Sequence, residues 1–380
     1  MTGASRRIVL LTTSLSWGGA QVQLVRLARE LKRRGWDVGV VSMLEPELFS
    51  DELKRAGIRV ASLGMQRGAA DLGALTRALA VLRQWRPTVL CSFLYHANLL
   101  GRVAGRIVGV PVIVSSIRNE NFGGSRRDLV VRLTNWASHA VTTNSRLAAR
   151  KLAERRVVAE DRLRVIPNSI VVSEFERDPD ERAVLRGELG LQEDEFLWLA
   201  VGRLDVAKDY PTLLAAVERL LAASVPASVR VAGDGPLRSA LEGRVRELGL
   251  EDRVAFLGAR RDCPALVGAA DGFVLSSLWE GLPNVVMEAL AAGTPVVATQ
   301  VGGVGELVED GRSGYMVPPR DPAALADAMR RLMDAPLEER VRMGLRGRAH
   351  MEREYGVEPI TDMWESLYED LYARVTKEAV

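Results

Sequence analysis

Residues 279–298 read Trp-Glu-Gly-Leu-Pro-Asn-Val-Val-Met-Glu-Ala-Leu-Ala-Ala-Gly-Thr-Pro-Val-Val-Ala, so two carboxylates, Glu280 and Glu288, stand eight residues apart on either side of an expected helix start. Pro283 suits the first position of a helix, where a missing N–H costs nothing, and Ala289 to Ala292 continue it with strong helix formers. Glu280 then lies on the lip of the helix N-terminus. Glu288 falls in the second turn, on the face of Asn284 by the i, i+4 rule. Loop and helix together present two acceptors to one ligand, and the first-turn amides near Gly281, Leu282 and Asn284 favour an anion. A single Glu in a loop or on a helix is ordinarily just solvated. The complete string, closing on Gly-Thr-Pro before a Val-Val strand, is more specific than either carboxylate alone.

Outward from this string the chain alternates strands and helices. Ile8 to Thr12, Val38 to Ser42, Val89 to Ser92, Val112 to Ser116 and Ala140 to Thr143 are short, largely β-branched apolar runs separated by segments of helical period, the pattern of a parallel α/β sheet. Gln21 to Arg34 carries Val22, Val25, Leu27, Ala28 and Leu31 at helical spacing, and Gly35 ends it. The pattern restarts after Pro167-Asn168 with Leu197 to Val201, Val229 to Ala232, Val254 to Leu257, Gly272 to Leu275 and Val296 to Ala298. Two Rossmann-like units in tandem follow, divided near Asn168 to Pro179. From Pro359, residues Trp364, Leu367, Tyr368 and Leu371 predict an amphipathic last helix.

Composition agrees with two domains: 380 residues, 47% hydrophobic, exceed one ordinary core. Cys91 and Cys263 match no metal spacing and form no disulfide framework, which points to a reducing compartment. No run approaches the roughly 20 apolar residues that span a bilayer, and Met-Thr-Gly-Ala-Ser-Arg-Arg leads into a strand rather than a signal peptide. Charge is divided unevenly. Residues 1–180 hold 28 Lys+Arg and 16 Asp+Glu, a net +12, and residues 181–380 hold 23 and 33, a net −10. The arginines of the basic half are spread over many short elements with few aromatics and no recognised motif, which argues against nucleic acid and leaves an anionic membrane or a phosphorylated substrate.

Further groups gather at expected strand ends, where ligands bind in open α/β sheets. Val201-Gly202-Arg203-Leu204-Asp205-Val206-Ala207-Lys208 sets two cations in one such loop, Arg203 as a planar fork and Lys208 as a point charge for a diphosphate. Gly18 and Gly19, in Ser16-Trp17-Gly18-Gly19-Ala20, let backbone approach a ligand without Cβ interference; the sequence is not the dinucleotide fingerprint G-x-G-x-x-G, which argues against a nicotinamide enzyme. His96 stands near the start of an expected helix. Val231 to Leu237, with Gly233, and Phe256 to Arg260, with Gly258 and Ala259, form two more strand-end turns. Arg118 and Asn119 follow the Val112 to Ser116 strand and suit an acceptor's phosphate or sugar. Taken singly, each of these is more often surface charge, a turn or a structural His.

The opening string resembles the E-x7-E signature of glycosyltransferase family 4, the retaining transferases of the GT-B fold, and the resemblance extends from the Gly-Gly loop to the closing helix. Arg203 and Lys208 match the family's Gly-Arg-Leu…Lys motif, and Gly18-Gly19-Ala20 its Gly-Gly-Ala loop. The resemblance implies two Rossmann-like domains facing across a cleft: residues 1–172 with helix 359–380 for the acceptor, and 173–358 for a nucleotide-diphosphate sugar. It implies that Arg203 and Lys208 bind the donor diphosphate in place of a metal, with no cofactor. Gly18 and Gly19 would face that diphosphate, Gly233, Gly258 and Ala259 the nucleotide, Glu288 the ribose, and Glu280 and His96 the sugar. Stabilising the departing diphosphate is then the main catalytic contribution. Retention by front-face displacement is implied, and a two-carboxylate hydrolytic mechanism is disfavoured because Glu288 is expected at the ribose.

The basic N-terminal half, with Arg126, Arg127 and Arg132, suits a glycan or polyprenyl-diphosphate-linked acceptor at an anionic membrane. The expectation is a cytoplasmic enzyme, peripheral at the inner face of the cell membrane, serving cell-surface polysaccharide or glycolipid synthesis. Two alternatives remain at this level: a sugar-nucleotide 2-epimerase of similar architecture, and a non-catalytic subunit of a glycan-assembly complex.

Overall fold

The computed structural model describes residues 6–16, 18–46, 48–68, 71, 73–118, 124–192 and 194–378. The chain divides into two compact units, Met1–Ser169 with Val357–Val380, and Ile170–Gly356.

The first unit holds strands β1 (Arg7–Thr12), β2 (Asp37–Leu44), β3 (Arg59–Met65), β4 (Val89–Phe93), β5 (Val112–Ile117), β6 (Ala140–Thr143) and β7 (Leu163–Val165), with helices α1 (Gly19–Arg33), α2 (Ser50–Arg55), α3 (Gly73–Trp85), α4 (Tyr95–Val108), α5 (Ser125–Thr134) and α6 (Arg146–Glu154) between them. All pairings are parallel, in the order β3-β2-β1-β4-β5-β6-β7. Strands β1, β4 and β5 are buried almost throughout because apolar clusters pack on both faces, so they read as continuous apolar runs. Strands β3 and β7 were not anticipated. The first lies half-exposed at the sheet edge and the second has only three residues, so neither carries such a run. Helix α1 begins two residues before the expected start, and Gly35 follows its end with φ +87°, a conformation that favours glycine.

The second unit holds α7 (Pro179–Glu188), β8 (Leu197–Val201), α8 (Tyr210–Ala222), β9 (Ser228–Ala232), α9 (Arg238–Glu247), β10 (Val254–Gly258), α10 (Cys263–Ala269), β11 (Gly272–Leu275), α11 (Asn284–Ala291), β12 (Val296–Thr299), α12 (Val304–Leu307), β13 (Gly314–Val317), α13 (Pro322–Asp334) and α14 (Leu337–Tyr355). Its six parallel strands run β10-β9-β8-β11-β12-β13. Strand β13, which the sequence reading passed over, is four residues long and opens on Gly314, where a Cβ would lie 1.9 Å from Val296 O.

After α14 the chain returns to the first unit as α15 (Val357–Glu378). Ile360, Trp364, Leu367, Tyr368 and Leu371 form its buried stripe and join the first unit's core. Trp36 meets Tyr368 edge-on at 5.9 Å and Phe93 meets Trp364 at 6.0 Å. Charge fixes the register of the helix: Glu365 takes Arg34 at 2.6 Å and the Trp36 indole N–H at 2.7 Å, and Glu369 takes Arg6 at 3.0 Å.

In each sheet the strand order reverses once, between β1 and β4 in the first unit and between β8 and β11 in the second. These reversals are the topological switch points beside which ligands of open α/β sheets bind.

Candidate functional site

At the second unit's switch point the loops after β8 and β11 are fastened to each other. Asp205 accepts from Ala207 N at 3.0 Å and thereby caps a 3-10 turn over Val206–Lys208. Ser276 Oγ donates to Lys208 O at 2.8 Å, and Leu278 N to Ala207 O at 2.8 Å. The Lys208 side chain therefore starts from a fixed backbone. It crosses Gly202, where a Cβ would stand 2.8 Å from Lys208 Cε, and ends 2.6 Å from Glu280 Oε1. Ser277 Oγ donates to the same oxygen at 2.7 Å. The Lys208 and Glu280 side chains are 17% and 13% exposed, so the pair is largely withdrawn from water. Arg203 differs: its side chain is 72% exposed, with Nε 3.8 Å from Asp205, and it extends into solvent from the same loop.

Neighbouring strand ends close around this loop. Gly233 donates its N–H to Gly258 O at 2.7 Å, and a Cβ on Gly233 would lie 1.9 Å from Gly202 O. Gly202, Gly233 and Gly258 thus form a close-packed backbone edge across β8, β9 and β10, with φ +153° at Gly233 and +73° at Gly258. Ala259, next to it, is exposed. On the other side, the Glu280-Gly281 backbone rests on Gly302 and Gly303. Gly303 N donates to Gly281 O at 2.6 Å, and a Cβ on Gly302 would stand 2.0 Å from Glu280 O. The sequence reading missed this support, although Val301-Gly302-Gly303 after a Val-Val strand repeats the strand-then-diglycine signal of residues 18 and 19.

Helix α11 begins at Asn284, one residue later than the proline rule predicts. Pro283 takes an extended conformation as the N-cap residue, and its carbonyl accepts from Val286 N at 3.2 Å. Leu282 is buried beneath the start of α11, and Asn284 and Glu288 are half-buried. Glu288 faces the start of α10: burial first, and then the Glu288 charge, hold the Cys263 thiol up at about 11. The two carboxylates of the opening string therefore occupy separate surroundings, Glu280 with a lysine and Glu288 beside a thiol.

The first unit carries a second group at its own switch point. Gly18 is the N-cap residue of α1 after β1, and Gln21 Nε2 donates to Ser14 Oγ at 3.2 Å beneath it; Gly19 is the first residue of the helix. After β4, Leu94 precedes α4 with φ 76° and ψ 161°, a region residues with a Cβ rarely enter, at a typical cost of about 1–3 kcal/mol. Outliers of this kind cluster at functional sites, and His96 follows two residues later. Its ring is exposed and stands edge-on to Tyr95 at 5.1 Å, with its pKa lowered by partial desolvation and then by the Arg127 charge.

Arg118 departs from expectation. It turns inward, over Phe93 at 4.9 Å and Trp364 at 5.7 Å, and donates to Asn168 Oδ1 at 2.9 Å. Burial lowers its pKa to about 10. Its guanidinium is occupied in packing α15, which argues against the acceptor contact expected of it. Asn119 and Trp17 lie outside the described residues.

Two family models match the chain: "Glycosyl transferase 4-like domain" over residues 18–169 and "Glycosyl transferases group 1" over residues 181–350. The chain is 31% identical over 343 residues to the 2-deoxystreptamine N-acetyl-D-glucosaminyltransferase of Streptomyces fradiae, covering 82% of this chain and 81% of that one. The chain belongs to glycosyltransferase family 4. This glycosyltransferase is also 27% identical over 275 residues to the UDP-Gal:alpha-D-GlcNAc-diphosphoundecaprenol alpha-1,3-galactosyltransferase of Escherichia coli, covering 70% and 71% of the two chains. The crystal structure of Anabaena HepE in complex with UDP superposes with a TM-score of 0.84 at 22% identity, over 96% of this chain and 100% of that one. The fold is therefore GT-B, and the enzyme is a family 4 transferase acting on nucleotide sugars.

Proposed function

We propose that this enzyme transfers a sugar from a uridine or guanosine diphosphate sugar to a glycan or polyprenyl-diphosphate-linked acceptor, with retention of configuration and without a metal ion. The observation that carries the reading is the Lys208–Glu280 pair at the β8–β11 switch point, 2.6 Å apart and buttressed by Ser277. Among the described residues both bonds to Glu280 fall on Oε1, which leaves Oε2 for a sugar hydroxyl.

In this mechanism Arg203 and Lys208 meet the diphosphate from one loop, and the amides at the start of α11 add the positive end of a helix. As the bond from the anomeric carbon to the phosphate oxygen breaks, charge builds on that oxygen, where preorganised donors act most strongly. The acceptor oxygen bonds to the same face of the anomeric carbon, and its proton passes to the departing phosphate. Two positive side chains supply the charge that a divalent cation would otherwise bring. His96, held near neutrality by its lowered pKa, suits hydrogen bonding to the sugar rather than repelling a developing cation. Glu288 takes the ribose and the Gly233 and Gly258 turns take the base. The acceptor class follows the Escherichia coli relative, whose name specifies a diphosphoundecaprenol substrate, and it brings the enzyme to a membrane surface as a peripheral, cytoplasmic protein.

The test is a screen of uridine and guanosine diphosphate sugars for thermal stabilisation, followed by nucleoside diphosphate release with lipid-linked acceptors, with and without EDTA. Turnover unaffected by EDTA, with a product of the donor's anomeric configuration by NMR, is expected. Inverted product, or activity that EDTA abolishes and a divalent ion restores, overturns the mechanism.

A further inference from the structure

The first unit exposes an apolar stripe on α5, and further apolar side chains on its neighbour α4, that its own core does not use. On α5, Leu129 is 53% and Leu133 63% exposed, and Trp136, in the 3-10 turn that follows, is 66% exposed. Spacings of four and three residues put them on one line along the helix. Arg126 and Arg132 flank that line, both exposed, while Val131 faces the core. Helix α4 packs against this element and adds Val103 and Ile107, one turn apart and 46% and 53% exposed. Arg106 lies between them in sequence and joins the two elements, donating to Ala137 O at 3.0 Å with its guanidinium 5.9 Å from the Trp136 ring. Beside Trp136 opens a depression of about 400 Å³, whose lining includes three cations, Arg132, Arg156 and Arg162, against one carboxylate, Glu160.

Water-facing leucines and a tryptophan bordered by arginines fit one environment well. Aliphatic side chains and the indole enter the boundary between acyl chains and headgroups, and the guanidinium groups meet lipid phosphates. The stripe is also well held. Arg102, buried and without a carboxylate partner among the described residues, donates to Val131 O at 3.2 Å and Thr134 Oγ1 at 2.7 Å and so pins the end of α5 to the body of the unit. At its other end α5 reaches the candidate site, since Arg127 stacks 5.2 Å over Tyr95, the neighbour of His96.

We propose that the outer face of α4 and α5, with the arginine-lined depression beside Trp136, docks on a bilayer of anionic phospholipid, the depression taking a headgroup phosphate. The proposal rests on the membrane reading above and names the surface that serves it. Docked this way, α5 lies along the headgroups and the His96 end of α4 opens beside them, where a lipid-linked diphosphate presents its sugar.

The full-length protein is tested by co-sedimentation with vesicles of phosphatidylcholine, with and without phosphatidylglycerol, at low and high salt. Wild-type protein is expected to bind the anionic vesicles at low salt and to leave them as salt rises. Leu133→Asp with Trp136→Asp abolishes binding, and Arg126→Gln with Arg132→Gln weakens it about fivefold per arginine. Leu337→Asp with Leu345→Asp, on the exposed apolar stripe of α14, leaves it intact. Stabilisation by UDP or GDP, whichever protects the wild type, serves as the folding and donor-site control, unchanged in every variant. Equal binding by wild type and the α5 variants overturns the proposal. So does a wild-type dimer, seen by sedimentation, that the α5 variants dissolve, because the stripe is then a self-association face. Wild type that transfers sugar to a detergent-dispersed lipid acceptor yet ignores every vesicle refutes the docking surface and keeps the transferase reading. Vesicle binding without any transfer does the reverse.

Discussion

Replacing Lys208 by Met and Glu280 by Gln, singly and together, separates what the ion pair does for the fold from what it does for the reaction. At 2.6 Å and an effective dielectric constant near 20, the gross attraction is about 6 kcal/mol. Desolvating two side chains that are only 17% and 13% exposed cancels most of it. Removing one partner forfeits the attraction and leaves the other group's desolvation in place, so each single variant should lose on the order of 2 kcal/mol of stability. In Glu280→Gln the side-chain oxygen still accepts from Ser277, which puts that variant at the lower end. The double variant strands no charge and should be more stable than the sum of the singles by about 1–2 kcal/mol. Turnover should fall about 10²-fold to 10³-fold in Lys208→Met, and the double variant should be little worse than the poorer single, because groups that act as a unit are non-additive. Urea denaturation measures the first set and nucleoside diphosphate release the second. Additive losses in both assays, or a folded Lys208→Met enzyme within a few-fold of wild-type turnover, would refute the assignment.

Trp364→Ala removes a side chain packed between Phe93, Tyr368 and Arg118 and should cost about 3–5 kcal/mol; calorimetry should show the loss in the transition of the first unit. His139 is half-buried, and its Nδ1 accepts from Ile113 N at 2.9 Å. Burial and then the Arg106 charge lower its pKa from 6.5, so the unfolded chain binds the extra proton first. Stability should therefore fall as pH drops from about 6.5 toward the lowered folded value and level off below it. Comparing denaturation midpoints of wild type and His139→Gln across that window should show a flatter dependence in the variant; parallel curves would remove His139 from the account.

Much of this was legible in the sequence because both sheets are parallel and covered on both faces. A strand such as β8, Leu-Trp-Leu-Ala-Val, is an apolar run that no surface element would carry, and a loop at its carboxyl end is a ligand loop by topology alone. What escaped depended on partners distant in the chain. Lys208 and Glu280 are 72 residues apart and meet only because β11 crosses over to pair with β8. Arg118 carried a loop signal, but its stacking partner Trp364 lies on the closing helix. Gly302 looks like a turn residue until the Glu280 carbonyl is found where its side chain would be. The one residue by which Pro283 was misplaced is within the ordinary uncertainty of helix boundaries.

Helix α15 gives the two units different histories during synthesis. Residues 170–356 contain everything their sheet and core require and can collapse as they leave the ribosome. The unit that begins the chain cannot complete its core: Trp36 and Phe93 wait for Tyr368 and Trp364, and Arg6 and Arg34 for Glu369 and Glu365. The half translated first is therefore finished last, and until then its apolar sheet face is open to chaperones and to aggregation. A stop codon near residue 356 should spare the second unit and leave the first as the degraded part.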